Sequence, residues 1–384
     1  MNISIYNSFP IQVKKAIGCM IESTEGVSYV DTFSGIGVML LGHSYEPVLE
    51  SIRNRIQDYM HLSNYFPVED ATSVENILLS ATEMKQGGLF YTNSGTEATE
   101  AALRIVKKRE TCSKKTIIHF SGSFHGRTLG SLSLLRDGPV KERFGSLLPN
   151  IQSLEWNDEE ALDTYMNANG QEVLAIFVEP IQGSGGIRII SDSMAEKLKH
   201  YQKRYNILLV CDEIQSGLGR TGKWFAFQHW GLQPDIVLVG KGLGGGLPLG
   251  ATIFSEELRY EFLPGDHGST FAPNPVALAA AKTVLSEIPP SISHIQKLTP
   301  WVQETICTML GSFIKDYRQK GFMIGIDPIQ STKEMVQIGR EYHHVLLNVT
   351  YNGTIRLLPP LNTTKEDWSL MITPLQKTLQ QCNL

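Results

Sequence analysis

A lysine and an aspartate, each placed directly after a short apolar run, are the residues of this sequence best suited to do chemistry. Lys241 follows Asp-Ile-Val-Leu-Val-Gly and precedes Gly-Leu-Gly-Gly-Gly-Leu, and Asp212 follows Ile-Leu-Leu-Val-Cys. Apolar runs of this length are typical of buried strands in a parallel sheet. An amine and a carboxylate at the carboxyl ends of two such strands suit pyridoxal phosphate, which needs an imine at one end and a charged ring nitrogen at the other. A solvated strand-end lysine is the alternative for Lys241 considered alone.

Ser94, Gly95 and Thr96 lie at the predicted start of a helix, immediately after an apolar segment. Ser94 and Glu97 have the spacing of a capping box. Free backbone N–H groups at a helix start that carries glycine make a phosphate site. The alternative is a plain N-cap that binds no ligand.

Three further residues that could contact a ligand follow predicted strand ends. Phe124 could stack on a flat cofactor and Arg127 could bind a substrate carboxylate through two parallel hydrogen bonds. A core phenylalanine and a surface arginine are the alternatives. Glu179 comes directly after five apolar residues, where a charged side chain seldom lacks a partner, although an ordinary strand-end cap also explains it.

The elements that must position these residues alternate along the middle of the chain. Strand-like segments separated by helical patterns indicate βαβ units, a parallel sheet and helices on both of its faces, and therefore an α/β fold. Ligands of such sheets bind outside the carboxyl ends of the strands, where these polar residues stand. The predicted strands are Gly88–Thr92, Thr116–Phe120, Leu174–Val178, Ile207–Cys211 and Ile236–Val239.

The pattern changes near Ile288. An amphipathic helix over Pro300–Arg318 and short strands near Gly321–Ile326, Leu346–Val349 and Thr354–Leu358 predict a smaller α+β unit. Strand-like stretches in the first 40 or so residues join it. The predicted domains are therefore residues 1–45 and 286–384 for the small domain and residues 46–285 for the large one.

Composition excludes several other classes of protein. The net charge of −5 over 384 residues argues against nucleic-acid binding, and the five scattered cysteines form neither a CxxC motif nor a metal-ligand cluster. No window holds the ~18 apolar residues of a membrane span, and the N-terminus lacks a basic region followed by an apolar stretch. The sequence predicts a cytoplasmic protein that binds no metal, nucleic acid or membrane.

Several longer motifs occur in a specific order and spacing: Asn93-Ser-Gly-Thr-Glu-Ala98, Phe124-His-Gly-Arg-Thr128, Glu179-Pro-Ile-Gln-Gly183, Asp212-Glu-Ile-Gln215, Lys241-Gly-Leu-Gly-Gly-Gly, His267-Gly-Ser-Thr-Phe271 and Arg356-Leu-Leu-Pro-Pro-Leu361. Together they resemble the class III, omega-amino-acid aminotransferases, and among these the acetylornithine aminotransferases. The resemblance covers nearly the whole chain. It implies a fold-type I pyridoxal phosphate enzyme, in which a large domain with a mostly parallel seven-stranded sheet is joined by a smaller α+β domain built from both termini.

The resemblance implies a role for each residue around the cofactor ring. Lys241 would form the Schiff base and then carry the proton between the substrate α-carbon and the cofactor. Asp212 would pair with the pyridine nitrogen so that the ring withdraws electrons. Gln215 would bind the ring hydroxyl oxygen, and Phe124 would stack on the ring.

Other positions are assigned by the same resemblance to the phosphate and its surroundings. Gly95 and Thr96 would hold the phosphate, and Thr270 would reach it from the neighbouring subunit of a homodimer. Ser94, His125 and Glu179 are also expected among the cofactor-binding residues.

The substrate site follows from the resemblance too. Arg127 would bind the substrate α-carboxylate, Arg356 the carboxylate nearest the reacting carbon of the 2-oxo acid, and Tyr6 would contact substrate. Ser184 is a departure, because most transaminases of the family have there a glutamate that covers the second arginine when an omega-amine donor binds. A serine cannot neutralise Arg356, so an uncovered arginine should favour a donor that bears a carboxylate there.

The predicted reaction moves the terminal amino group of N-acetylornithine, or a similar omega-amino acid, onto 2-oxoglutarate. Alternatives that use the same imine are transamination of ornithine, 4-aminobutyrate or a diamino acid, amino-acid epimerisation, and an aminomutase reaction. A cofactor-free binding protein on the same scaffold is the alternative from another class.

Overall fold

The computed structural model describes residue 5 and residues 7–383. Its strands, in chain order, are β1 (Val13–Ile17), β2 (Met20–Ser23), β3 (Ser28–Asp31), β4 (Gly88–Thr92), β5 (Thr116–Phe120), β6 (Ile151–Leu154), β7 (Val173–Val178), β8 (Ile181–Gln182), β9 (Arg188–Ile189), β10 (Leu208–Asp212), β11 (Ile236–Val239), β12 (Gly250–Phe254), β13 (Ile314–Lys320), β14 (Met323–Pro328), β15 (Val345–Leu346), β16 (Asn348–Val349) and β17 (Ile355–Leu357).

The α-helices are α1 (Ser34–Gly37), α2 (Glu46–Asp58), α3 (Glu69–Ala81), α4 (Gly95–Lys108), α5 (Leu129–Ser133), α6 (Pro139–Glu142), α7 (Glu159–Asn169), α8 (Asp192–Tyr205), α9 (Pro275–Ser286), α10 (Ile288–Leu310), α11 (Met335–His343) and α12 (Lys365–Gln381). Short 3₁₀ helices lie at Gly170–Glu172, Ala226–His229, Lys241–Gly244, Glu256–Leu258 and Gly311–Phe313. No helix within the described residues is long and apolar enough to cross a membrane.

The central sheet has seven strands within the described part of the chain, in the order β4-β12-β11-β10-β7-β5-β6. Every pair from β11 to β6 is parallel, and β12 runs antiparallel to both of its neighbours. The prediction of a mostly parallel seven-stranded sheet is confirmed. Strands β5, β7, β11 and β12 are buried at every residue, as expected where helices cover both faces of a sheet.

The sequence-predicted strands of this sheet agree with the structure to within one residue at each end. Two strands were not predicted, β6 and β12. The first is a four-residue edge strand with polar Gln152 and Ser153 at its centre, and the second begins with glycine and alanine, so neither has the apolar run by which the others were recognised.

Two smaller sheets involve the C-terminal segment. One, β1-β2-β3-β15, joins both ends of the chain through a parallel pairing of Val30 with Val345. The other, β13-β14-β17-β16, is antiparallel. Strand β3 of the N-terminal segment therefore pairs with β15 of the C-terminal segment, whereas the division into domains at residues 1–45, 46–285 and 286–384 stays a prediction.

The predicted helix over Pro300–Arg318 is wrong in both bounds. Helix α10 begins at Ile288, because the prolines that follow lie in its first turn, where no intrahelical N–H donor is needed. It ends at Leu310, and residues from Ile314 form β13, held by pairing with β14. The C-terminal part of the predicted helix is thus a strand whose partner lies beyond a short turn.

Candidate active site

The carboxyl ends of β4, β5, β7, β10 and β11 lie at the same edge of the central sheet and surround a cavity of about 230 Å³. A larger cavity of about 420 Å³, between Glu83 and Gln228, contains none of the predicted site residues. The smaller cavity is lined by Gly95, Thr96, Phe124, His125, Gly126, Arg127, Glu179, Ser184, Asp212, Ile214, Gln215 and Lys241. The structure therefore brings together residues that are up to 146 positions apart in the chain (241 − 95).

Lys241 projects from the turn that follows β11. Its side chain is partly open to the cavity but lies deep among protein atoms. Burial lowers its pKa to about 8, because it disfavours the ammonium ion; the positive charge of Arg356 adds to this effect, while Asp212 and Glu179 oppose it. A larger share of Lys241 is consequently a neutral, nucleophilic amine near neutral pH than for an ordinary lysine.

Asp212 ends β10, is 4% exposed, and is held by both carboxylate oxygens. Oδ1 accepts the backbone N–H of Ile214 at 3.0 Å, and Oδ2 lies 2.8 Å from Nδ1 of His125. Burial acts to lower the pKa of His125, but the hydrogen bond to Asp212 and the charges of Asp212 and Glu179 outweigh it, so the pKa is raised. The imidazole therefore acts as a donor that fixes the orientation of the carboxylate at the cavity wall.

Glu179 connects two strand ends through backbone contacts. Its carboxylate accepts the N–H of Phe124 at 2.9 Å and the N–H of Gly183 at 3.2 Å. Burial raises its pKa to about 7, against the opposing charge of His125. Glu179 thus fixes the backbone of Phe124 and of Gly183, the residue that precedes Ser184.

The start of helix α4 forms one end of the cavity. Ser94 is the N-cap and its hydroxyl accepts the N–H of Glu97 at 3.3 Å. The predicted capping box is only half formed, because the Glu97 carboxylate binds the N–H and side chain of Asn93 instead of the N–H of Ser94. The first N–H groups of a helix have no intrahelical partner, so those of Gly95 and Thr96 are suited to an anion.

The hydroxyl of Thr96 is already engaged by protein groups. It lies 2.8 Å from Ser131 Oγ and 3.2 Å from Thr128 Oγ1, and it accepts the N–H of Arg127 at 3.0 Å. Gly126 permits this approach, since a Cβ there would lie 2.2 Å from Thr96 Oγ1. The contribution of Thr96 to anion binding would therefore come from its backbone. Ser131 and Thr128 were missed by sequence reasoning as partners of Thr96.

Phe124 and Arg127 lie beside each other at the cavity. The Arg127 guanidinium carbon is 5.4 Å from the centre of the Phe124 ring, within the range of a cation–π contact. Arg127 is exposed and Phe124 is half-buried. The alternative of a core phenylalanine is thus not observed, and Arg127 is an exposed residue that also lines the cavity.

Arg356, on β17, is 5% exposed and binds two side-chain amides. Its Nη1 donates to Gln215 Oε1 at 3.0 Å, and its Nε and Nη2 donate to Asn348 Oδ1 at 3.0 and 2.7 Å. Burial lowers the pKa of Arg356 to about 10, against the opposing charge of Glu179. Asn348 was not predicted, although it is the one polar residue in the predicted strand Leu346–Val349 and could have been noticed for that reason.

The remaining predicted residues lie elsewhere or at the cavity margin. Ser184 lines the cavity and is half-buried. Thr270 is exposed and is not among the residues lining the cavity within the described single chain. Its neighbour Ser269 accepts a hydrogen bond from Asn93 at 3.1 Å. Tyr6 lies outside the described residues, so its predicted role is not addressed by the structure.

The cavity combines an amine of lowered pKa, an oriented carboxylate and a helix N-terminus. Lys241 and Asp212 line the same cavity, and their placement at opposite ends of one cofactor ring stays a prediction. This donor set suits a flat phosphorylated heterocycle that bears an aldehyde, which is the chemistry of pyridoxal phosphate. The described residues contain no cluster of three or more potential metal ligands.

Comparison with known proteins gives a consistent result. Residues 4–379 match the family Aminotransferase class-III. The chain is 34% identical over 379 residues to the acetylornithine aminotransferase of Aquifex aeolicus, covering 97% of this chain and 98% of that protein. It is 36% identical over 378 residues to the acetylornithine aminotransferase of Bacillus cereus, covering 97% and 96%.

Solved structures show the same architecture. The ornithine aminotransferase of Toxoplasma gondii, which has pyridoxal phosphate at partial occupancy in its active site, aligns with a TM-score of 0.91 at 25% identity over 99% of this chain and 92% of that one. The acetylornithine aminotransferase of Elizabethkingia anophelis aligns with a TM-score of 0.85 at 24% identity over 99% and 96%, a likeness of fold.

Proposed function

This chain belongs to the class III aminotransferases, and on that premise we propose that it moves the terminal amino group of N-acetylornithine, or a similar omega-amino acid, onto 2-oxoglutarate with pyridoxal phosphate as cofactor. The observation that carries the proposal is that Lys241, with its lowered pKa, and Asp212 line one cavity. The full-length similarity to acetylornithine aminotransferases supports this choice of donor.

The cofactor would be held by residues from five segments of the chain. Pyridoxal phosphate, when bound, withdraws electrons from the substrate carbon that loses its proton. Asp212 would present a carboxylate to the ring nitrogen, and the hydrogen bond from His125 keeps that carboxylate in place. The other residues proposed to contact the cofactor are Ser94, Gly95, Thr96, Phe124, Glu179, Gln215 and Lys241.

Lys241 anchors the cofactor and moves the proton. A general base works best when its pKa lies near the working pH, and burial lowers the pKa of Lys241 to about 8. Its amine can therefore take a proton from the substrate carbon and return it, whereas an ordinary lysine is almost fully protonated near neutral pH and is a poor base there.

Gln215 links the cofactor site to the substrate site. The guanidinium of Arg356 has only donors, so the amide oxygen of Gln215 must face it, which leaves the amide nitrogen free to donate toward the ring hydroxyl oxygen. Arg356 and Arg127 would supply positive charge for the two carboxylates of 2-oxoglutarate, and Ser184 lines the same cavity as Arg127.

A homodimer would complete the site. Two segments that meet near Thr270 carry exposed apolar side chains, Tyr65, which is 94% exposed, and Phe271, which is 63% exposed. The two segments are joined by hydrogen bonds from Asn64 to the carbonyl oxygens of Ser269 and Ala272, at 2.8 and 3.2 Å. Large exposed apolar side chains brought together in this way favour an interaction surface, and we propose that a second copy of the chain covers it, so that Thr270 reaches the partner's phosphate site.

The cellular setting we propose is the cytoplasm. All five cysteines lie in the described residues and are free thiols, which suits a reducing compartment.

Replacement of Lys241 tests the enzyme assignment. The purified protein should absorb visible light when loaded with pyridoxal phosphate and should transfer amino groups to 2-oxoglutarate, with N-acetylornithine preferred over ornithine, 4-aminobutyrate and lysine. Lys241→Ala should lose both the imine absorbance and turnover, because Lys241 is the one lysine among the described residues that line the cavity. Lys320→Ala is the matched control, since burial also lowers the pKa of Lys320 but that residue lies on β13.

Persistent transamination by Lys241→Ala would contradict the assignment. If the wild-type enzyme transaminates another donor better than N-acetylornithine, the enzyme class is supported but the proposed donor is wrong.

A further inference from the structure

Arg356 is a buried cation whose partners within the described residues are all uncharged. It is 5% exposed, and it hydrogen-bonds only to the amide oxygens of Gln215 and Asn348. The charge of Glu179 acts on Arg356 without a hydrogen bond to it, and a buried charge with no hydrogen-bonded counter-ion is unfavourable unless a ligand supplies one. The charge of the groups that hydrogen-bond to Arg356 therefore determines how much of the guanidinium charge remains available to a substrate.

Asn348 is placed by strand register. Strand β16 pairs antiparallel with β17, and Asn348 lies directly opposite Arg356. On the other side of Arg356 the register places Gly325 of β14, which has no side chain. Within the described residues, Asn348 is therefore the one directly paired cross-strand neighbour whose side chain contacts the guanidinium.

The contact uses one edge of the guanidinium. Asn348 Oδ1 accepts from Nε at 3.0 Å and from Nη2 at 2.7 Å. Because arginine has no acceptor, the amide oxygen and not the amide nitrogen of Asn348 must face it. If Asn348 were not there, a carboxylate could bind to this edge, which is formed by Nε and Nη2.

Gln215 takes one more N–H group, on Nη1, at 3.0 Å. An arginine has five N–H groups, so one on Nη1 and one on Nη2 remain without a partner in the described residues. Gln215 lines the cavity, whereas Arg356 is not among its lining residues, so this bond connects the guanidinium to a residue of the cavity wall.

We propose that Asn348 is a positioning and specificity residue. It holds Arg356 through an oxygen that bears no net charge, so that the guanidinium keeps its positive charge and its remaining N–H groups for the carboxylate attached to the reacting carbon of the substrate. The proposal rests on the proposed function, since it concerns the substrate site of that reaction. An aspartate at position 348 would reach the same Nε and Nη2 but would neutralise the charge.

Two substrates that accept the amino group, 2-oxoglutarate and succinic semialdehyde, distinguish this role from a purely structural one. Succinic semialdehyde is 2-oxoglutarate without the carboxylate on the reacting carbon. Asn348→Asp should raise the KM for 2-oxoglutarate about tenfold, the effect expected from the loss of one hydrogen bond to a charged group. The KM for succinic semialdehyde should stay the same or fall, and kcat should change little with either acceptor.

Two further variants complete the comparison. Asn348→Ala should raise the KM for 2-oxoglutarate less than Asn348→Asp, because it loosens the guanidinium without neutralising it. Asn352→Asp makes the same charge change on the following turn, where the side chain contacts Gly185 and Thr354 but not Arg356, and it should change both KM values far less. The proposal is overturned if Asn348→Asp leaves the KM for 2-oxoglutarate unchanged or raises both KM values equally.

A binding measurement keeps this inference distinct from the proposed function. The dissociation constant of 2-oxoglutarate can be measured by calorimetry in wild-type and Asn348→Asp protein without any turnover. If wild-type protein transaminates no donor, the proposed function fails, whereas weaker binding by the variant still supports the role of Asn348 and equal binding refutes it.

Discussion

The conformation of residue 241 is unusual for a lysine. Its φ angle is 45°, in the left-handed region that residues with a side chain rarely adopt. The glycine that follows must remain glycine, because a Cβ on Gly242 would lie 2.2 Å from the Leu40 side chain. The strained turn directs the Lys241 side chain back toward the carboxyl ends of β10 and β11 instead of outward to solvent, and backbone strain of this kind is concentrated at functional sites.

The lowered pKa of Lys241 predicts how the cofactor-free protein reacts with added pyridoxal phosphate. Only the neutral amine attacks an aldehyde, so the rate should rise with pH and level off above a midpoint of about 8 instead of near 10.5, the ordinary value for lysine. Stopped-flow absorbance over a pH series would measure this midpoint, with Lys241→Ala defining the background from other lysines. A rate that continues to rise toward the ordinary lysine value would show that burial does not control this amine.

At the scale of elements, helix α4 and strand β4 together make the phosphate end of the cavity. The helix begins directly after the strand, and Ser94 caps it while Asn93 and Glu97 bind each other. The unpaired N–H groups at the helix start can hold an anion only while the first turn stays ordered.

A pair of N-cap variants tests this link. Ser94→Ala and Ser191→Ala each remove an N-cap, from α4 and from the remote helix α8. Each should lower the free energy of unfolding by about 1 kcal/mol, and Ser191→Ala by somewhat more, because Ser191 Oγ also donates to Glu159. Only Ser94→Ala should also weaken pyridoxal phosphate binding, because its frayed first turn carries Gly95 and Thr96. Urea unfolding of the cofactor-free proteins and fluorescence titration with the cofactor would measure the two effects. Equal cofactor affinities in the two variants would contradict the role of the helix start.

At the scale of the whole molecule, the proposed homodimer makes each site dependent on two chains. Thr270 is exposed in the single chain and lies near the place where the segments that carry Tyr65 and Phe271 meet. If Thr270 acts across the interface, a site uses Lys241 from one subunit and Thr270 from the other.

Mixed dimers show whether Thr270 acts in the site of its own chain or in the site of the partner subunit. Thr270→Glu and Lys241→Ala should each be inactive as homodimers, the first because its carboxylate repels the phosphate. A dimer of one chain of each kind should recover about half of wild-type activity, since one of its two sites has both residues intact. Differently tagged chains would allow this dimer to be purified and assayed. No recovery would place Thr270 in the site of its own chain, and a monomer in sedimentation analysis would refute the dimer itself.

The sequence alone was sufficient for the parallel sheet, for the cofactor and for most of the residues around the cavity. Buried strands such as β11 reveal themselves by a local run of apolar residues, and Lys241 and Asp212 stand out because each ends such a run. The family resemblance then assigned roles to positions such as Gln215 and Arg356, which no local pattern distinguishes.

Only the tertiary structure decided which side chains meet. Gln215 and Arg356 are 141 positions apart, His125 and Asp212 are 87 apart, and Asn348 contacts Arg356 through the register of β16 with β17. The reversed direction of β12 and the strand in place of the C-terminal part of the predicted helix are also set by pairing with distant or neighbouring segments. Periodicity is a property of a few consecutive residues, whereas register and side-chain contact depend on how segments far apart in sequence pack together, and a local pattern carries no information about that packing.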